Sequence, residues 1–156
     1  MSTAVRLKDL AAALEMLDEV GTSYLDLDSG QVETVSREIL SRAEEFAAGD
    51  EEPKLPAWQK PEWELANRIV SSARFLELPG QDDLNEWQIM SDFSGSIRSE
   101  KISAELQDAI HGSGAFRHFK NTLRRHNIEK DWFTFRANAL KQIAVDWCHD
   151  NQIDFQ

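Results

Sequence analysis

Residues 111–126, HGSGAFRHFKNTLRRH, crowd two glycines, aromatics, three histidines and a run of basic side chains into one short stretch of an otherwise acidic chain. Two chemistries suit that mixture. One is an anion grip, in which glycine-rich backbone and a helix starting near Ser113 receive a phosphate or carboxylate. The other is a basic helix face that meets an acidic partner. The grip lacks its fingerprint: Gly112-Ser113-Gly114 has neither the longer spacing nor the Lys-Ser or Lys-Thr that follows it in a phosphate loop. The face has the right periodicity. With Phe116, Phe119 and Leu123 turned inward at i, i+3 and i+7, Arg117, Asn121 and Arg124 share the opposite side. Lys120, Arg125 and Arg136, with Trp132 at the edge, complete the expected recognition surface. An acidic protein is the expected partner and a nucleic acid the alternative. A plainer reading leaves these cations solvated, or paired with acids from the first 110 residues.

The charge map frames that choice. Residues 1–110 hold 10 Lys and Arg against 23 Asp and Glu, whereas residues 111–156 hold 7 against 5. The sign changes where the basic stretch begins. A net charge of −11 over the whole chain disfavours a surface wholly given to nucleic acid or to an anionic membrane, so any such contact is local.

Other constellations were tested by what their chemistry requires. His111, His118, His126 and His149 form no HxxxH pair, and one cysteine, Cys148, cannot build a cysteine-rich zinc site or an internal disulfide. Cys148 and His149 are sequence neighbours, about 100° apart on a helix, which separates them as a nucleophile and base. DLDSGQVE resembles a calcium loop, but counting from Asp26 puts Gly30 at position 5 and Arg37 where the bidentate glutamate belongs. No catalytic residue, cofactor or metal is therefore assigned. A rival reading, a small hydrolase or transferase, would draw carboxylates from Asp26 and Asp28, the Asp82-Asp83 pair or Asp92, and needs them to converge in a cleft. A third reading, a structural subunit, would show an exposed apolar patch around Trp58 and Trp63.

The elements that position these residues follow from periodicity. Val5, Leu7, Leu10, Leu14 and Leu17 predict a helix over residues 4–19, stopped by Gly21. Two alternating runs around Ser29-Gly30 predict a hairpin with a tight turn. Ser36 caps a helix carrying Ile39, Leu40, Ala43 and Phe46, which ends at Gly49. Residues 49–61, with three prolines, form a loop, and Pro61 opens a helix with Trp63, Leu65, Ile69 and Val70. Residues 75–78 alternate and predict a third strand joining the hairpin, the alternative being that the preceding helix runs on. From residue 83 the pattern is helical, with Leu84, Trp87, Ile89, Met90 and Phe93, then Ile102, Leu106, Ala109 and Ile110. In the last helix Phe133, Ala137, Leu140, Ala144 and Trp147 predict the buried stripe, and Trp132 and Phe135 lie off it. The glycines punctuate a corner: Gly112 ends one helix, Ser113 caps the next, and Gly114 allows close helix approach.

Together, AIHGSGAFRHFKNTL, DWFTFRANAL and AVDWCHDNQI resemble the signature of the bacterial uncharacterised protein family 0158, and SYLDLDSGQV and WQIMSDF resemble its hairpin and middle helix. The resemblance spans about residues 24–153. It implies that Gly112, Gly114, Phe116, Arg117, Phe119, Lys120, Trp132, Phe135 and Arg136 belong to a family pattern. It brings no activity, cofactor or catalytic residue. Members often carry a basic residue where this chain has Ser113, a departure that turns attention from position 113 to the helix after it.

The sequence thus predicts one α+β domain over residues 1–156, mostly helical, with a small antiparallel hairpin or three-stranded sheet in the N-terminal half. At 41% hydrophobic content it can fill one core. No stretch reaches the roughly 20 apolar residues of a spanning helix, and Arg6, Lys8 and Asp9 interrupt any signal peptide, so a cytoplasmic protein without membrane contact is expected.

Overall fold

A computed structural model describes residues 4–17 and 20–156. They fall into two compact units, Met1–Asp83 with Ala144–Gln156, and Leu84–Ile143. The architecture is α+β, as the patterning predicts.

In the first unit, α1 (Leu7–Glu15) buries Leu7, Leu10 and Leu14, one face at i, i+3 and i+7. It is shorter than the predicted span at both ends. Val5 leaves the helix to form a parallel bridge with Phe155, and Gly21, expected as a stop, is the first residue of β1 (Gly21–Asp26). β1 pairs antiparallel with β2 (Val32–Ser36), placing Tyr24 opposite Glu33, and on its other side with β3 (Phe75–Glu77), placing Leu25 opposite Leu76. The strand order is β2-β1-β3, so the predicted third strand is present.

The hairpin turn is wider than the tight turn predicted, because Asp26 organises five residues behind it. Its Oδ1 accepts the amides of Asp28 at 2.9 Å and Ser29 at 3.4 Å, and its backbone carbonyl accepts that of Gly30. Its Oδ2 takes the Arg74 guanidinium at 2.6 Å, tying the turn to the residue before β3. The Asp26 side chain is 5% exposed. Burial pushes its carboxyl up, but the bonds from Arg74 and the two amides outweigh that and hold it below the usual carboxylate range.

Ser36 caps α2 (Arg37–Ala47) as predicted, accepting the Ile39 amide at 3.3 Å, and its own amide donates to Glu62 Oε1 at 2.7 Å. Glu62 lies in the first turn of α3 (Lys60–Ser71), which follows a 3₁₀ turn at Ala57–Gln59 and carries Pro61 near its start. Val35, Ile39, Leu40, Ala43, Trp63, Ala66 and Ile69 form one apolar cluster between these elements. Trp63 is buried there, its indole N–H donating to Glu52 at 3.2 Å. The apolar patch expected around Trp58 and Trp63 therefore reduces to Trp58, which is 77% exposed.

A short α4 (Gln81–Leu84) precedes α5 (Glu86–Ser96). The continuous helix expected from residue 83 is interrupted at Asn85, whose φ of +50° breaks the backbone while its side chain accepts the Gln88 amide at 3.2 Å. Ser99 caps α6 (Glu100–Ala109) through the Ile102 amide at 3.3 Å. Next come α7 (Ala115–Arg125) and α8 (Glu129–Asp150), which leaves the second unit after Ile143. On α8, Leu140, Ala144 and Cys148 follow at four-residue steps and are buried, Cys148 completely. Among the described residues no helix is long and apolar enough to cross a membrane.

Arg74→Ala is expected to cost about 1–3 kcal/mol at neutral pH in urea denaturation, since it leaves a buried acceptor short of a donor. Because the folded-state pKa of Asp26 is depressed, its contribution is full above the ordinary carboxylate value and lost as pH falls through the lowered one. The gap between wild type and Arg74→Ala therefore narrows in acid.

Candidate functional site

The corner before α7 is built by two left-handed glycines, Gly112 at φ +89° and Gly114 at φ +76°. Gly114, rather than the predicted Ser113, is the N-cap, and it supplies no side-chain acceptor. The three atoms nearest to a Cβ placed there belong to the side chains of His118 and Arg117 on its own helix, at 3.4–3.6 Å, rather than to the other helix whose close approach was expected. Its requirement is conformational.

The roll of α7 is fixed by aromatics. Phe93 of α5 packs edge-on against Phe119 of α7 and Trp132 of α8, with centroids 6.2 and 5.4 Å apart, and Phe119 meets Trp132 at 4.9 Å. Phe135 adds a fourth ring, 5.3 Å from Phe93. Trp132 is 2% exposed, so it is a core residue and not the edge of a recognition surface. The predicted phase of α8 is shifted accordingly: Phe133, placed on the buried stripe, faces solvent. Phe119 and Leu123 are buried as predicted, but Phe116 is 49% exposed, because it sits in the first turn, where the core has run out.

With Phe119 inward, the α-helical step of 100° places Lys120, Arg124 and Arg117 within about 60° of one another on one flank of α7. The Lys120 ammonium lies 4.6 Å above the Phe116 ring centroid. Arg124 has only a loose pair with Glu129, at 3.9 Å. Arg117 is exposed and has no ionic partner among the described residues. These three cations and Phe116 make a continuous basic and aromatic strip.

The remaining predicted cations are engaged elsewhere. Arg125 points to the other flank, donating to Thr122 Oγ1 at 3.2 Å and lying 3.8 Å from Glu105 of α6. Arg136 of α8 grips Glu86 of α5 through Nη2 at 2.6 Å and Nε at 3.2 Å, a two-point pair that fixes these helices. For Arg125 and Arg136 the plainer reading, pairing with acids from the first 110 residues, describes the geometry.

Sequence reasoning missed the groove between α6 and α7. A depression of about 680 Å³ is lined by Glu105, Asp108, His111, His118 and Arg125. Glu105 accepts a short hydrogen bond from His126, and that bond above all, with the charges of His126, Arg125 and Lys101, holds its carboxyl below the usual range against partial burial. Glu105 and His126 are 21 residues apart, so only the helical hairpin brings them together. Among the described residues no three of His, Cys, Asp and Glu are gathered so as to hold a metal ion.

Of the carboxylates of the hydrolase reading, Asp26, Asp83 and Asp92 are engaged locally, and Asp28 lies 3.8 Å from Arg74. Asp26 is locked in the hairpin turn, Asp83 accepts the Gly80 amide at 2.8 Å, and Asp92 accepts from Gln88 at 2.8 Å on an exposed helix face.

Fold and surface together describe a small α+β protein whose C-terminal helices carry a basic, aromatic flank. The chain belongs to uncharacterised protein family UPF0158, whose pattern matches residues 4–156, a wider span than the segments carrying the resemblance. It is 28% identical to a UPF0158 protein of Pseudomonas aeruginosa over 131 residues, which cover 83% of this chain and 72% of that relative. No solved structure matches the chain.

The two aromatics on either side of the core boundary separate cleanly by mutation. Trp132→Ala is expected to lose about 3–5 kcal/mol of stability, and Phe116→Ala to stay within about 0.5 kcal/mol of wild type, both read from chemical denaturation midpoints.

Proposed function

We propose that this protein is a cytoplasmic binding module without catalysis of its own, and that the flank formed by Arg117, Lys120 and Arg124 with Phe116 contacts an acidic protein partner. One observation carries the reading: in a chain of net charge −11, Arg117 and Lys120 stand on one helix flank without a carboxylate partner among the described residues. Grouped on one flank of an otherwise acidic chain, these cations make a local positive potential that steers an acidic surface toward them. The exposed Phe116 supplies apolar contact beside them, and aromatic and arginine side chains are the residue types that anchor protein interfaces. A protein is favoured over a nucleic acid because three cations neutralise few phosphates and so release few counterions, the term that supplies most nucleic-acid affinity, whereas a protein also uses the apolar contact at Phe116.

Binding of a polyglutamate peptide of defined length, followed by backbone amide NMR shifts, tests this. Shifts are expected to concentrate on residues 116–124, to weaken with added salt, and to disappear in the double variant Arg117→Glu/Lys120→Glu while its circular dichroism stays native. A single-stranded oligonucleotide that binds the same residues more tightly than the peptide would overturn the preference for a protein partner, and unshifted amides on α7 would overturn the site.

A further inference from the structure

An acidic run of opposite sign to this flank is present on the chain itself. Residues 44–52 place Glu44, Glu45, Asp50, Glu51 and Glu52 in nine positions, all of them exposed. The last turn of α2 contains no basic residue, although a helix C-terminus favours one, so Glu44 and Glu45 stand against the helix dipole. Glu44, Glu45, Asp50 and Glu51 have no ionic partner within their own chain among the described residues. On α7 the complementary situation holds: the first turn contains no acid, and Arg117 lies there, where the dipole disfavours a cation. Two unanswered charge sets of opposite sign are thus displayed by one molecule.

Resting on the reading above that the α7 flank takes an acidic protein, we propose that its partner is a second copy of this chain, whose residues 44–52 dock along Arg117, Lys120 and Arg124. The dimensions are compatible: seven steps of helix separate Arg117 from Arg124 by about 10 Å along the axis, and the three steps of chain from Gly49 to Glu52 extend to about 10 Å at most. Phe116 gives the contact an apolar edge, next to the ammonium already seated on its ring.

Net charge shapes the salt response. Two copies of charge −11 repel over long distances, while the docked pairs attract at contact. At about 0.1 M salt the screening length is about 10 Å, which damps repulsion between molecules more than attraction between touching groups. Self-association is therefore strongest near that ionic strength and weaker at both very low and very high salt, unlike a simple apolar contact.

Sedimentation velocity of the full chain over a concentration series is the test. Wild type is expected to associate reversibly with that salt maximum. The flank variant Arg117→Glu/Lys120→Glu and the acidic-run variant Glu44→Lys/Glu45→Lys/Glu51→Lys are each expected to associate at least about tenfold more weakly. Mixing the two in equal amounts is expected to restore association, because each supplies the sign the other lost. All of these positions are exposed except the half-buried Lys120, and native circular dichroism of each variant confirms that folding is intact. A wild type that stays monomeric at every salt, or a mixture that associates no better than the separate variants, overturns the proposal. If that occurs while polyglutamate still shifts residues 116–124, the acidic-partner reading stands and the second copy is excluded; if polyglutamate binding fails as well, both fall.

Discussion

Phe93 stacked edge-on between Phe119 and Trp132 is the contact on which the surface chemistry of the second unit depends. Each edge-to-face pair contributes about 0.5–1.5 kcal/mol beyond the burial of its rings. Their larger effect is angular. A helix held by one buried ring at Phe119 and supported by Leu123 one turn on cannot roll, and every other side chain on α7 is assigned a direction by that choice. Lys120, Arg124 and Arg117 share one flank because Phe119 is inward, and Arg125 faces α6 for the same reason.

Electrostatics then divides the cations by distance to acid. Arg136 and Arg125 meet carboxylates contributed by other helices, Glu86 and Glu105, and serve as ties between elements. Arg74 does the same for the sheet by completing the set of donors around Asp26. In all three cases a guanidinium, with its fork of donors, joins segments that lie far apart in sequence. The cations on the α7 flank are different, since one is seated on an aromatic ring, one has only a loose pair with a nearby glutamate and one has no ionic partner among the described residues. Of the basic residues that set the C-terminal part apart in composition, Arg125 and Arg136 are thus taken up by acids of other helices, while Arg117, Lys120 and Arg124 stay together on one flank of α7.

Much of the fold could be read from local signals, because those signals are themselves local physics. Ser36 and Ser99 cap helices through amides three residues away, and alternation at residues 75–78 reports a strand whose one face is covered. The family followed from the GAFRHFK and WFTFR segments. What could not be read depends on partners distant in the chain. Asp26 looked like the start of a turn, and nothing near it announced an arginine 48 residues away. The phase of α8 failed because Trp132, Phe133 and Phe135 are apolar on several sides of the helix, so periodicity alone could not choose which ring points inward. Phe116 matched the inward stripe but lies in the first turn of its helix, and a helical wheel has no knowledge of where the core stops. The His126 and Glu105 pair across the helical hairpin left no trace in the spacing.

The lone thiol at Cys148, wholly enclosed along α8, has a practical meaning. Burial also raises its pKa, so the reactive thiolate is scarce even when the sulfur is reached. A thiol reagent can modify it only during transient opening of the surrounding structure, and under fast reclosing the modification rate measures how often that happens. The chain therefore carries its own clock for local unfolding, set at a single atom and readable without any introduced probe.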